Sequence, residues 1–265
     1  MLGIFVTLVI PILMQLTIVP RFLTIDDIST LLELESLQWT STQAANADML
    51  RKRLLDYPEL CMGAFCSRTG KALASLFMRP ISQREIAHAR RWEDCAVTTH
   101  DSIEKKTNSL FGISLTSVEP HAAAALFSFF WPHALKNGWR QVYLGSPIPG
   151  FKRALENNPS LDVTAYAHTR RGKRPLDPQL RYYHGKGFTR IVAVLPDYFP
   201  HDASLDHGVL IQGTVPLSLL CPVWQRLPFK TLRVILDCIT RVEDIYAEYT
   251  RPHPGLSDMP ASEQV

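Results

Sequence analysis

Two adjacent phenols, Tyr182 and Tyr183, are the side chains whose type and position best suit proton transfer. They lie in the segment Leu-Asp-Pro-Gln-Leu-Arg-Tyr-Tyr-His-Gly-Lys-Gly-Phe, residues 176–188. A phenol has a pKa near ~10, so it keeps its proton at neutral pH and can act as a general acid. A tyrosine in an amphipathic helix is also a common packing residue with a polar tip. Both interpretations stay open for this pair.

The cysteines indicate neither metal binding nor thiol redox chemistry. There are five, at positions 61, 66, 95, 221 and 238, and none belongs to a C-x-x-C pair or a cluster with zinc spacing. We interpret them as mostly buried, reduced thiols. That use of cysteine favours a cytoplasmic redox environment.

Positive charge is concentrated in one segment. The chain of 265 residues carries a net charge of +3, too little to indicate nucleic-acid binding by itself. Between His168 and Arg190, seven cations face a single carboxylate, Asp177, which gives this segment a net charge of +6. The cations are Arg170, Arg171, Lys173, Arg174, Arg181, Lys186 and Arg190. The segment could meet an anionic partner, or form a solvated flap.

The N-terminal residues are apolar, and residues 1–20 contain no charged side chain. Residues 1–14 resemble a signal segment but lack its basic start and its small-residue cleavage site. Extended to Val19, the segment approaches the ~20 residues that span a bilayer, although Pro11, Gln15 and Pro20 oppose that interpretation. We expect an N-terminal extension, with a membrane anchor through residues 1–19 as the less favoured alternative.

The first part of the chain predicts a strand, two helices and a hairpin. The strand covers residues 15–19 and is closed by Pro20, and a helix carrying Leu31 and Glu35 follows. Ser41 or Thr42 would cap the second helix. Apolar segments 60–66 and 72–80, joined by a glycine-containing turn, predict a hairpin. Residues 82–108 are polar and predict a solvated surface insertion.

The centre of the chain predicts a crossover unit. A strand over residues 110–118 is followed by a helix that Pro132 should bend or interrupt, and by a strand at 140–144. The N-terminus of such a helix can bind an anion. Strands at 190–195 and 208–212 and an amphipathic helix at 229–249 complete an α/β pattern.

With these elements in place, the chain resembles the GCN5-related N-acetyltransferase (GNAT) superfamily. A late helix of that family ends in a pattern like L-Y-x-x-x-G-F, to which residues 182–188 are similar. The resemblance covers roughly residues 15–212. It implies a mixed, mostly antiparallel twisted sheet flanked by helices, in a domain of residues 15–228. The apolar extension 1–14 would precede this domain, and a C-terminal helix and tail, 229–265, would follow it.

The resemblance also implies an activity, the transfer of an acyl group from acetyl-CoA or another acyl-CoA to an amine or other nucleophile. The acyl-CoA would lie where the fourth and fifth strands separate, and Tyr183, with Tyr182 as the alternative, would protonate the leaving thiolate. The implied cofactor-binding residues are Leu115, Thr116, Ser117, Val118, His121, Ala122, Ala123, Ala124, Ala125 and Leu126. Three residues are candidates for the general base: His168, His184 and Asp197.

The pyrophosphate loop departs from the family pattern. The family has Q/R-x-x-G-x-G/A, whereas residues 119–126 are Glu-Pro-His-Ala-Ala-Ala-Ala-Leu, without a glycine. Alanines can still present free N–H groups at a helix N-terminus, so we expect phosphate binding there. His121 would contact a phosphate or lie at the surface. The alternative is a non-catalytic GNAT-fold module. An acidic carrier protein is a candidate partner for the basic segment, and no nucleic-acid partner is expected.

Overall fold

A mixed seven-stranded sheet runs through the protein. The computed structural model describes residues 17–40, 43–97 and 107–249, with side chains as far as residue 241. The strands are β1 (Ile18–Phe22), β2 (Cys61–Cys66), β3 (Ala72–Pro80), β4 (Ser109–Ser117), β5 (Gln141–Pro147), β6 (Arg170–Arg171), β7 (Arg174–Pro175), β8 (Phe188–Leu195) and β9 (Gly208–Thr214). The sheet order is β1-β2-β3-β4-β5-β9-β8, and β6 and β7 form a separate hairpin. β4 and β5 pair in parallel, and the other neighbouring pairs are antiparallel.

Helices cover both faces of this sheet. They are α1 (Ile28–Gln38), α2 (Ala47–Asp56), α3 (Gln83–His88), α4 (Trp92–Ala96), α5 (Pro120–Asn137), α6 (Phe151–Asn157), α7 (Val163–His168), α8 (Pro178–Gly185), α9 (Cys221–Trp224) and α10 (Phe229–Tyr249). Along β5, Tyr143 packs in the core of α1, α2 and α4, whereas Val142 and Leu144 pack in the cores of α5 and of α8. Because side chains alternate along a strand, α5 and α8 lie on one face and α1, α2 and α4 on the other.

The predicted hairpin is confirmed, and the first strand is displaced towards the C-terminus. β2 and β3 pair around the turn that contains Gly70. The strand expected at residues 15–19 is found at Ile18–Phe22, and residues 15 and 16 lie outside the described residues. Pro20 therefore lies inside β1, where we expected it to end the strand. β1 is an edge strand, and a residue without a backbone N–H is tolerated there.

The helix caps differ from the sequence prediction at one point. α2 begins at the N-cap Asn46, whose side chain accepts a hydrogen bond from the N–H of Met49 over 2.9 Å. Ser41 and Thr42, the predicted caps, lie outside the described residues. The helix ends before Pro58, as predicted.

The segment predicted as a solvated insertion contributes to the core. Residues 83–96 contain α3 and α4, which bury Ile86 and Cys95 in the same core as α1 and α2. Arg79 is 2% exposed, and its guanidinium donates to the carboxylate of Glu85 over 2.6 Å. That ion pair brings an otherwise polar segment onto the sheet, since a buried cation requires a partner. Residues 98–106 of the insertion lie outside the described residues.

α5 and α10 form the layer on the opposite face. α5 continues across Pro132, where we expected a bend or break, and ends at Gly138 with φ 81°. Buried neighbours Phe130 and Ala134 hold the turns on either side of the proline against the sheet. The predicted C-terminal helix is confirmed as α10, which buries Leu236 in the same core. Within the described residues, no helix has the length and apolarity needed to cross a bilayer.

Candidate functional site at the separation of β4 and β5

The two parallel strands of the sheet pair along only part of their length. Their register begins at Ser109–Gln141 and ends at Gly112–Leu144, although β4 continues to Ser117 and β5 to Pro147. At the same level the register of β3 with β4 shifts, which leaves Ile113 as an extra residue. Such a bulge bends its strand. Within the described residues, the segment 113–117 of β4 therefore has no ladder partner in β5.

The predicted strand residues of the cofactor site lie in this unpaired part of β4 or directly after it. Leu115 faces the core of α5, and Thr116 faces α1 on the other side of the sheet. Ser117 ends the strand, and its hydroxyl donates to the carbonyl of Glu119 over 2.8 Å. The N–H of Val118 donates back to Leu73 over 3.0 Å. The structure thus brings these four predicted residues to one open strand end.

The helix N-terminus predicted to hold a pyrophosphate is already bonded to Glu119. The Glu119 carboxylate accepts from the N–H of His121 over 3.1 Å, and its carbonyl accepts from the N–H groups of Ala122 and Ala123. Pro120 has no N–H to offer. A carboxylate at this position also opposes a second anion. Phosphate binding here requires the Glu119 side chain to move.

The side chains of the predicted alanine run divide between core and surface. Ala122, Ala123 and Leu126 are buried in the core of α5, whereas His121 and Ala124 are exposed and Ala125 is partly exposed. The burial explains the residue type: a helix that lies directly on the strands needs small side chains in its first turn. His121 is the exposed polar side chain of this run that can meet a ligand.

On the α1–α2 face, β4 carries a buried polar network that the sequence did not reveal. The hydroxyl of Thr116 donates to the carboxylate of Glu35 over 2.6 Å, and the indole N–H of Trp39 donates to Thr116 over 2.9 Å. The second oxygen of Glu35 accepts from the N–H of Ala45 over 3.1 Å. Glu35 is 3% and Thr116 1% exposed. The one signal in the sequence was Glu35, a charged residue on the apolar side of a predicted helix.

Arg53 of α2 extends the same network. Its guanidinium donates to the hydroxyl of Ser114 over 3.3 Å and lies 5.4 Å from the ring centre of Phe77. Burial lowers the pKa of Arg53, and the Glu35 carboxylate partly offsets this. A cation and a carboxylate thus lie beside the unpaired half of β4. The strand β4 itself contains no acidic residue.

Tyr183, the predicted general acid, lies on the α8 face. Its ring centre is 6.0 Å from that of Phe188, and it packs against the core of α6 to α8. Burial raises the pKa of the Tyr183 phenol, and the Gln179 side chain partly opposes that rise. Tyr182, the alternative, is 46% exposed on the outside of the helix. Of the two phenols, Tyr183 is the one directed into the protein.

Asp177 fixes the position of α8. It is 1% exposed, and one carboxylate oxygen accepts from the N–H groups of Gln179 and Leu180 at the start of the helix. The other oxygen accepts from the N–H of Gly150 and the hydroxyl of Tyr166, each over 3.0 Å. Asp177 therefore joins the loop after β5 to α7 and α8.

The basic segment surrounds the edge strand β8. All seven of its cations are exposed, and within the described residues none of them forms an ion pair with a carboxylate. A small pocket lies beside it, lined by Arg170, His184 and Phe188 among others. Leu180 of α8 and Ile211 of β9 also line this pocket, so it lies on the α8 face of the sheet.

The three candidates for a general base also lie on the β8 side. His168 ends α7, His184 lines the small pocket, and Asp197 occupies a turn with φ 47° after β8. The structure does not bring them together with Thr116 or Glu35 of the polar network.

Burial makes two of the five described thiols, Cys61 and Cys95, unsuited to nucleophilic chemistry. Four are buried and unbridged, at positions 61, 66, 95 and 221, and Cys238 is exposed. Burial raises the pKa of Cys61 and of Cys95 to about 12. Because a thiolate is the reactive form, these two remain inert thiols at neutral pH.

This fold, with its β5-β9-β8 order and separated parallel strands, is the fold of solved GNAT-like proteins, to which the chain is similar at low sequence identity. GphF, a GNAT-like decarboxylase solved in complex with isobutyryl-CoA, superimposes with a TM-score of 0.60 at 22% identity, over 74% of this chain and 99% of that one. The loading GNATL domain of CurA from Lyngbya majuscula superimposes with a TM-score of 0.60 at 16% identity, over 75% of this chain and 98% of that one. No protein-family model and no curated protein sequence matches the chain.

Proposed function

We propose that the protein binds an acyl-CoA between β4 and β5 and transfers the acyl group to an amine or another nucleophile. The observation that carries this proposal is the end of strand pairing at Gly112–Leu144 within a GNAT fold. The unpaired backbone of residues 113–117 offers hydrogen-bonding groups to an extended ligand. The isobutyryl-CoA complex of GphF, which shares the fold, supports a CoA thioester as the ligand.

Tyr183 is proposed as the general acid of this reaction. The acceptor nitrogen forms a bond to the thioester carbonyl carbon, the carbon–sulfur bond breaks, and the departing thiolate takes the phenol proton. The proton that the nitrogen loses passes through solvent to the phenolate and restores the Tyr183 phenol. The raised pKa of Tyr183 keeps that proton in place through neutral pH. Its position on the α5–α8 face leaves the opposite face, with Glu35 and Arg53, for the acceptor.

The basic surface around β8 is proposed to receive an acidic partner. Its seven cations, which form no ion pair with a carboxylate among the described residues, belong to β6, β7, α8, β8 and their connections. None of them is on α5, at whose N-terminus the pyrophosphate is expected. An acidic carrier protein that presents or receives the acyl group fits this charge. The name of the CurA loading domain is compatible with such a partner.

A second candidate is a GNAT-fold module that does not catalyse transfer. The Glu119 carboxylate favours it, since it occupies the N–H group of His121 where a phosphate would bind. Under this alternative the β4–β5 separation holds no CoA, and the basic surface alone makes contact with a partner.

Calorimetric titration with CoA and acetyl-CoA separates the two candidates. Binding of either supports the first, and no heat with any acyl chain length supports the second. If transfer is observed, Tyr183→Phe should lower kcat by about 100-fold, the lower end of the usual range for a general acid, with little change in acyl-CoA affinity. The matched control is Tyr182→Phe, which removes an exposed hydroxyl from the same helix. Equal rates for Tyr183→Phe and the wild type would exclude Tyr183 from the mechanism.

A further inference from the structure

Tyr198 is a fully buried phenol without a partner. It follows β8 and is 0% exposed, and among the described residues no group lies within hydrogen-bonding distance of its hydroxyl. An unsatisfied buried hydroxyl is costly, and native structures contain few. Burial raises the pKa of Tyr198, so the group stays protonated at physiological pH and remains a donor.

Two glycines define where the Tyr198 ring lies. A Cβ at Gly208 in β9 would meet the Cβ, Cγ and Cδ1 of Tyr198, whereas a Cβ at Gly145 in β5 would meet its Cε1, Cζ and hydroxyl. The ring therefore crosses both strands, with its backbone end over β9 and its hydroxyl end over β5. β4 is the next strand of the sheet beyond β5, and residues Glu93, Asp94 and Cys95 of α4 also lie near the phenol.

The level of the hydroxyl coincides with the start of the strand separation. Gly145 directly follows Leu144, the last residue of β5 that pairs with β4. Gly145 also shares the face of Tyr143, which packs in the α1–α2 core. The phenol thus lies on the same face of the sheet as Thr116, on the β5 side of the strand separation.

We propose that the hydroxyl of Tyr198 donates a hydrogen bond to the carbonyl oxygen of the acyl thioester bound between β4 and β5. This inference rests on the proposed function. The thioester carbonyl is the strong acceptor that distinguishes an acyl-CoA from free CoA, because the thiol sulfur of free CoA is a weak acceptor. The bond completes the hydrogen bonding of the phenol and polarises the carbon that the nucleophile attacks.

The decisive variant is Tyr198→Phe, which keeps the ring over both glycines and removes only the hydroxyl. We expect its affinity for acetyl-CoA to fall about five- to tenfold, the effect of one hydrogen bond, and its affinity for free CoA to stay unchanged. The matched control is Tyr143→Phe, on the same face of β5, whose hydroxyl is already bonded to Gln83 over 2.9 Å. In this control the ratio of the two affinities should equal that of the wild type.

The outcomes separate this inference from the proposed function. If the wild type binds both ligands and Tyr198→Phe keeps the wild-type ratio, the hydrogen bond is excluded while CoA binding stands. If the wild type binds neither ligand, both proposals fail. Infrared spectra of carbonyl-labelled acetyl-CoA bound to the wild type and to Tyr198→Phe give a second test. A carbonyl stretch at lower frequency in the wild type than in Tyr198→Phe supports the bond, and equal frequencies overturn it.

Discussion

The hydroxyl of Thr116 in β4 and the carboxylate of Glu35 in α1 form a 2.6 Å hydrogen bond between residues 81 positions apart. Both side chains are buried, so neither finds water when the other is removed. The bond lies in the half of β4 that has left β5. It therefore holds α1 against the strand at the level of the proposed acyl site.

Thr116→Val should destabilise the protein by about 1–3 kcal/mol, since it deprives Glu35 and Trp39 of their shared partner. Thr116→Ser keeps the hydroxyl and should lower the free energy of unfolding by less than Thr116→Val does. A double-mutant cycle can combine Thr116→Val with Glu35→Gln, with stabilities measured by urea unfolding. We expect a coupling energy of about 1 kcal/mol between the two side chains. Strictly additive effects would show that the two side chains do not stabilise each other.

Glu119→Gln should increase the affinity for CoA. The amide still accepts from the N–H of His121, so the helix cap is retained, while the negative charge at the proposed pyrophosphate position is removed. The expected gain is about two- to fivefold at low ionic strength and diminishes with added salt. Asp48→Asn, in the first turn of α2, is the matched control and should leave the affinity unchanged. A loss of affinity in Glu119→Gln would mean that the carboxylate assists binding.

The ion pair of Asp27 and Arg21 should make stability depend on pH. Burial disfavours the ionised carboxylate, but the bidentate donors of Arg21, at 2.7 and 2.8 Å, and those of Thr24 outweigh it, so the pKa of Asp27 is lowered. A carboxyl whose pKa is lowered by folding stabilises the protein above its unfolded pKa of ~3.9, and this contribution is lost as pH falls through the folded pKa.

Asp27→Asn should therefore lower the free energy of unfolding at pH 7 by about 1 kcal/mol, a modest value because Arg21 is partly exposed. The difference from the wild type should shrink as pH falls below 4 in chemical unfolding experiments. Asp26→Asn, at the exposed neighbouring carboxylate, serves as the control and should change little. A difference that stays constant from pH 7 to pH 2 would contradict the assignment.

Local patterns in the sequence predicted much of the fold. The glycine turn between two apolar segments predicted β2 and β3, and the amphipathic pattern of residues 229–249 predicted α10. Each depends on backbone sterics or side-chain periodicity within a few residues, which a sequence displays directly. The segment of α3 and α4 was misjudged because its burial depends on Arg79, outside the segment.

The sequence by itself determined the order of the elements, the α/β class, the basic segment, and the presence of a phenol on the late helix. Only the tertiary structure decided where β4 and β5 separate, that Glu35 meets Thr116, that Glu119 caps α5, and that Tyr198 crosses Gly145 and Gly208. Strand register and contacts between distant side chains are set by how whole layers pack together. No pattern of neighbouring residues encodes them, because the free energy of such contacts arises only once both faces of the sheet are covered.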